Sequence, residues 1–263
     1  MSSEFQEDTL ISDHGPNYRA RISGRWNVGA VPNGGYLMAV AARAAMSVTG
    51  KPPLVVSGYY VARTSPDAEA DLIHEVIRAG RTDTIQVRLV QEDTERARFL
   101  FAMRGFEDRV GPSRGDASPP SIPAPEECFK MPDIPGVTPR VAERFDFRYE
   151  TSTAHWLRGE QHTDAIQRGW LSFRDGTNFD ELSLLVAADA FAPPIFNWFG
   201  PTGWVPTLEL TVQVRRKPSP GPLLCQFESR HMTEGIVEED GLIWDSEGNL
   251  VCVSRQSALY RSK

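Results

Sequence analysis

Ala39-Val-Ala-Ala-Arg-Ala44 in the first half of the chain returns as Leu185-Val-Ala-Ala-Asp-Ala190 in the second, 146 residues later. Both copies read as helix. Asn33 is placed to cap the first, and Asn178 the second, where Asp180 and Glu181 in the opening turn suit the helix dipole. Each helix follows a strand-like run, Tyr18 to Trp26 and Asp164 to Phe173. After each comes a series of strands containing a proline turn. Tyr59-Tyr-Val-Ala-Arg-Thr-Ser-Pro66 matches Thr211-Val-Gln-Val-Arg-Arg-Lys-Pro218 at an offset of 152. Further strands are expected over 72–79, 84–92 and 96–106, and over 223–232, 235–245 and 250–260. Apolar and polar residues alternate in Ile85-Gln-Val-Arg-Leu-Val90 and Val251-Cys-Val-Ser-Arg-Gln256. Charged turns at Gln91–Glu95 and Asp245–Asn249 mark antiparallel hairpins.

One helix per half cannot cover both faces of a parallel sheet, which argues against a doubly wound fold. A curved antiparallel sheet wrapped around a central helix fits, and two such units can pair edge to edge, shielding both edges. The expectation is therefore an α+β double hotdog. Eight of the 20 prolines fall between Glu107 and Pro139. Proline fixes φ and lacks an amide donor, so this stretch reads as an extended surface linker. The division is residues 1–106, linker 107–139, and residues 140–263.

With 263 residues, 40% apolar and 24% charged, the chain has the balance of a folded globular protein. Its net charge of −7 argues against nucleic-acid partners. The three cysteines form no metal or disulfide pattern, and the five histidines lack metal-ligand spacing. The polar N-terminus lacks a signal-peptide core, and no apolar run approaches the ~18 residues of a membrane span. Cytoplasmic location without membrane contact is the expectation.

Asp189 is the informative residue. Leu182, Leu185 and Val186 form an apolar stripe at i, i+3 and i+4, and i+7 is Asp189. A carboxylate on a buried face needs dedicated partners, and burial would raise its pKa toward that of a general base. Alternatively it lies one position off the stripe, or caps the helix end near Pro193. Both readings are open from the residues alone.

Asp189 within Ala187-Ala-Asp-Ala-Phe191, Thr207 opening Thr207-Leu-Glu-Leu-Thr211, and Gln256 within Ser254-Arg-Gln-Ser-Ala-Leu-Tyr-Arg261 occur in that order on the repeated scaffold. In this the chain resembles the acyl-CoA thioesterase II group of double-hotdog enzymes, over nearly its whole length except the linker. The resemblance implies hydrolysis of acyl-CoA, with Asp189, Thr207 and Gln256 binding the attacking water and no cofactor or metal. Asn33-Gly34-Gly35-Tyr36 looks like the family's Gly-Gly helix start. It implies that Gly34, Gly35 and Tyr36 bind substrate, the Gly35 and Tyr36 amides facing the oxyanion. The residues also allow plainer roles: Thr207 as a strand former, Gln256 as an inward polar residue, the glycines for close packing.

Tyr36 stands where the family usually has Gln, and Arg215-Arg-Lys-Pro218 where many members have His-Arg-Pro. Phe191, Trp198 and Trp204 are candidates for the acyl pocket, with burial of a lobe or subunit junction as the alternative. Arg215, Arg216 and Lys217 are candidates for the CoA phosphates, or a solvated strand end. A hotdog enoyl-CoA hydratase or dehydratase, which calls for an Asp–His pair, and a non-catalytic acyl-CoA binder are the competing functions. Hotdog proteins generally associate, so a homodimer is expected.

Overall fold

The computed structural model describes residues 2–115, 117–201 and 205–261. The first half supplies β1 (Asn17–Ile22), α2 (Gly34–Thr49), β2 (Pro53–Tyr60), β3 (Ala68–Arg78), β4 (Asp83–Gln91) and β5 (Thr94–Met103), preceded by a short α1 (Glu4–Asp8). The second supplies β6 (Phe145–Tyr149), β7 (Ala165–Phe173), α3 (Ser183–Ala187), α4 (Phe196–Phe199), β8 (Thr207–Val214), β9 (Leu223–Ser229), β10 (Ile236–Trp244) and β11 (Leu250–Leu259). These strands form one antiparallel sheet in the order β1-β3-β4-β5-β2-β8-β11-β10-β9-β7-β6. Short strands at 12–14, 129–130 and 232–233 bring it to fourteen among the described residues.

The order reads alike in both directions from the β2–β8 seam: β5, β4, β3, β1 on one side, β11, β10, β9, β7 on the other. Two matching lobes thus share one sheet, the double hotdog. At the seam, Ser57 and Thr211 sit opposite each other with hydroxyls 2.7 Å apart. Arg109 clamps one end, donating to the carbonyls of Val214 on β8 (2.8 Å) and Pro53 on β2 (3.1 Å).

Strict alternation of buried and part-exposed residues along β4 and β7 gives each strand one core face. α2 is apolar nearly all round and, from Tyr36 to Ala45, buried apart from Arg43. That is the signature of a helix enclosed by its sheet rather than lying on it. Asn33 caps its start and Gly50, at φ 67°, ends it.

The structure departs from expectation in four places. β1 stops at Ile22, because Ser23 caps a 3-10 turn that sends Trp26 into the core, stacked on Tyr36 at 5.4 Å. α1 was not anticipated: Ser3 and Gln6 form a capping box, and Phe5 packs on Trp26 and Phe173. The second helix is five residues long and is not capped by Asn178, whose side chain accepts from the Gly221 amide. Phe179 stacks on Phe173 at 4.6 Å and holds the chain extended there, so Asp180 takes the capping role, accepting from the Leu182 and Ser183 amides. Residues 129 and 130, expected in the linker, pair with β6. Elsewhere in the linker, Ala117 and Pro123 lie against the second lobe, their carbonyls accepting from the Trp244 and Trp170 indoles. Among the described residues, no helix is long and apolar enough to cross a membrane.

Candidate functional site

α3 ends against the N-terminus of α2, and Gly35 makes the approach possible. A Cβ there would lie 2.5 Å from the Leu185 carbonyl oxygen and 2.9 Å from the Val186 Cα. Asp189 follows α3 on a tightened last turn, its amide donating to Val186 three residues back. Its side chain is therefore delivered to the start of α2, where unpaired amides and the helix dipole favour an anion. The Gly35 amide and Asn33 Nδ2 each donate to Asp189 Oδ2 at 2.9 Å. Asn33 Nδ2 also donates to the Asp189 carbonyl at 2.7 Å, while Asn33 Oδ1 accepts from the Tyr36 amide as the helix cap. One asparagine thus caps the first lobe's helix and grips the second lobe's acid.

Burial pushes the Asp189 carboxyl up to about 6, against the pull of the Gly35 and Gly34 amides and Asn33, which favour the charged form. Asp189 nevertheless keeps part of its surface open. Desolvated yet partly open, the carboxylate borders a crevice at the start of α2.

Thr207 reaches the inner face through a fault in its strand. Along β8 the inward residues are Leu210, Val212 and Val214, so regular alternation would turn Leu208 inward and Thr207 outward. A register shift between Thr207 and Glu209 reverses this, leaving Leu208 exposed and aiming Thr207 inward. Its Oγ1 donates to Gln256 Oε1 at 2.9 Å. Gln256 is the cross-strand partner of Glu239 on β10, and both side chains turn to the inner face of the sheet. Both are buried. Burial holds the Glu239 carboxyl well above the usual range, and the charge of Asp189 pushes the same way.

Tyr60 completes the cluster. A Cβ on Gly34 would meet its hydroxyl at 2.8 Å and Asp189 Oδ2 at 3.1 Å, so both groups flank the Gly34 Cα. The Tyr60 hydroxyl is buried without a hydrogen-bond partner. Neither Tyr60 nor Glu239 stands out in the sequence: one ends an apolar strand, and the other sits within the acidic run Glu238-Glu-Asp240.

The other expected site residues fare unevenly. The Gly35 and Tyr36 amides do not face the crevice as free donors, because Asp189 and Asn33 occupy them. The Tyr36 ring is core: its hydroxyl donates to the Asp8 carbonyl and accepts from the Ser23 amide. Phe191 is packed among Phe147, Tyr149 and Phe227 at 5.0 to 5.3 Å, which makes it a core residue rather than a lining one. Trp198 is half-buried in a small cluster with Ile195 and Phe199. That cluster includes Val237 and Ala258, the inward positions next to Glu239 and Gln256. Trp204 lies outside the described residues. Arg215, Arg216 and Lys217 are exposed past the far end of β8, roughly 25 Å along the strand from Thr207 at ~3.3 Å per residue.

The histidines are occupied elsewhere: His14 meets Arg19, His74 packs on Tyr18, His155 stacks on His162, and His231 approaches Glu238. Among the described residues, no Asp–His pair forms at Asp189. Among the described residues, no group of three or more His, Cys, Asp or Glu side chains is placed to hold a metal.

The family model described as acyl-CoA thioesterase N-terminal domain matches residues 22–104, and the corresponding C-terminal domain model matches 125–260. A crystal structure of a proposed thioesterase II from Thermobifida fusca superposes with a TM-score of 0.88 at 26% identity, covering 98% of this chain and 97% of that one. A hot dog fold protein of unknown function from Alicyclobacillus acidocaldarius gives 0.89 at 18% identity over all of both chains. An acyl-CoA thioesterase II from Mycobacterium marinum gives 0.79 at 19% identity, over 98% of each. An uncharacterized protein of Mycobacterium tuberculosis is 25% identical, over 92% of this chain and 90% of that one.

Proposed function

The chain belongs to the acyl-CoA thioesterase family, and from that premise we propose that Asp189, Thr207 and Gln256 hold the water that cleaves the thioester. Hydrolysis needs a positioned nucleophile, a base for its proton, and stabilisation of the oxyanion. The hydrogen bonds already made within the cluster define what remains for a water. Asp189 Oδ2 is occupied, which leaves Oδ1 to accept one water proton. Thr207 gives its proton to Gln256 and so offers a lone pair to the other. Gln256 accepts that proton at its carbonyl oxygen, so its amide group is left to serve Glu239 opposite with one N–H and the water oxygen with the other. A water so held has one lone pair left, directed at the substrate carbonyl.

As that oxygen bonds to the carbonyl carbon, Asp189 takes the proton. The unpartnered Tyr60 hydroxyl supplies the hydrogen bond to the oxyanion, the role denied to the Gly35 and Tyr36 amides. Collapse expels the CoA thiolate, which receives the proton from Asp189, leaving free acid and CoA. Positioning of this kind lowers a barrier by several kcal/mol, and one oxyanion donor by about 3. The Trp198 cluster next to Gln256 is the place for the acyl chain. The buried free thiols of Cys128, Cys225 and Cys252 suit a reducing cytoplasm.

What supports this reading is the partly open Asp189 carboxylate held by Asn33 and Gly35, together with the bonded Thr207–Gln256 pair, whose cross-strand neighbour Glu239 feels the charge of Asp189. Thiol release from acyl-CoAs of increasing chain length tests it. The wild type should liberate CoA, and Asp189→Asn should lose at least a hundredfold in kcat. An Asp189→Asn variant as fast as the wild type removes Asp189 from the chemistry.

A further inference from the structure

Glu239 is a buried acid that the mechanism above does not use. The residue is 8% exposed, faces inward and lies opposite Gln256. No Lys, Arg or His forms an ion pair with it among the described residues, although its neighbours in sequence are paired: Asp240 with Arg230 and Arg255, Glu238 with His231. The groups that act on it are Asp189 from beyond α3, Asp240 on its own strand and Gln256 on β11, while Glu239 in turn acts on the buried Tyr149 phenol of β6. None is a cation. A buried carboxylate without a counter-ion is costly, and two carboxyls that feel each other's charge resist ionising together.

We propose that Glu239 is a further positioning residue of the hydrolytic site, required in its protonated form as the neutral hydrogen-bond partner of Gln256. This rests on the hydrolase reading above. Neutral Glu239 holds the Gln256 amide beside the water without adding charge. Ionised, it sets a second negative charge against Asp189 and against the oxyanion that forms on attack. Turnover therefore falls at alkaline pH through a carboxyl, while Asp189 sets the acid side.

Two substitutions separate this from a packing role. Glu239→Gln keeps a neutral donor and acceptor at every pH. It should retain kcat within about fivefold at pH 7 and lose the alkaline fall. Glu239→Leu fills the space without hydrogen bonds, so it should fold and lose kcat ten- to a hundredfold, with KM within about threefold. The measurement is thiol release as a function of pH from 5 to 10, corrected for spontaneous hydrolysis. A wild type without an alkaline fall, a fall that persists in Glu239→Gln, or full kcat in Glu239→Leu overturns the proposal while leaving the hydrolase reading intact. No thiol release by the wild type from any acyl-CoA removes both.

Discussion

Replacing Asp189 by asparagine should make the protein more stable at neutral pH even as it abolishes turnover. The hydrogen bonds from Asn33 and Gly35 converge on Oδ2. An asparagine that puts its oxygen there keeps them and turns its amide group toward the crevice. What disappears is a buried charge. The carboxyl is pushed up to about 6 from an ordinary value of 3.8, a difference of about 2 units, which corresponds to about 3 kcal/mol. Part of the side chain meets solvent, and an amide oxygen accepts more weakly than a carboxylate, so about 2 kcal/mol is the expected gain. The native state binds this proton more tightly than the unfolded chain. Its contribution is thus fully present below about pH 4 and is lost as the pH rises through 6. Urea unfolding of both proteins at pH 4, 6 and 7.5 should show a difference growing from near zero to about 2 kcal/mol, or roughly 4–8 °C in Tm. A variant no more stable at pH 7.5, or a gap that ignores pH, refutes the reasoning.

The same titration predicts an acid limb: kcat/KM should fall tenfold per pH unit below about 6, as Asp189 loses its ability to accept a proton. Gly35→Ala would gain about 1 kcal/mol in an ordinary helix, but here its methyl meets the Leu185 and Val186 backbone, and a net loss of about 2 kcal/mol is expected from chemical denaturation. Tyr60→Phe should lower kcat ten- to a hundredfold with a slight rise in Tm, since it deletes an unsatisfied buried hydroxyl. A drop in Tm without loss of kcat would make Tyr60 structural.

The repeated plan was legible because period-two alternation and an alanine-rich apolar helix follow directly from which face of each element is buried. Asn33 could be read as a cap, since that role needs only local sequence. Its grip on Asp189, 156 residues away, could not. Asn178 was misplaced because capping propensity is local, while Phe179 was drawn to a distant aromatic cluster. Strand period alone turns Thr207 outward, and only the register shift brings it in. Glu239 sits among acids that otherwise face solvent, so only its register opposite Gln256 distinguishes it. Asn197 was hidden likewise: fully buried, it donates to the carbonyls of Thr153 and Ile166 and anchors the short α4 beside the crevice.

In the alignment of the two helices, the residue matching Asp189 is Arg43, whose guanidinium donates to Thr9 Oγ1 at 2.7 Å. Duplication supplied two equivalent places, and only one has an acid. In the proposed mechanism the twin lobes divide the labour: the first contributes a helix terminus and the Tyr60 hydroxyl, the second Asp189, Thr207 and Gln256. That mechanism predicts a single reaction centre per chain, which neither lobe expressed alone should inherit.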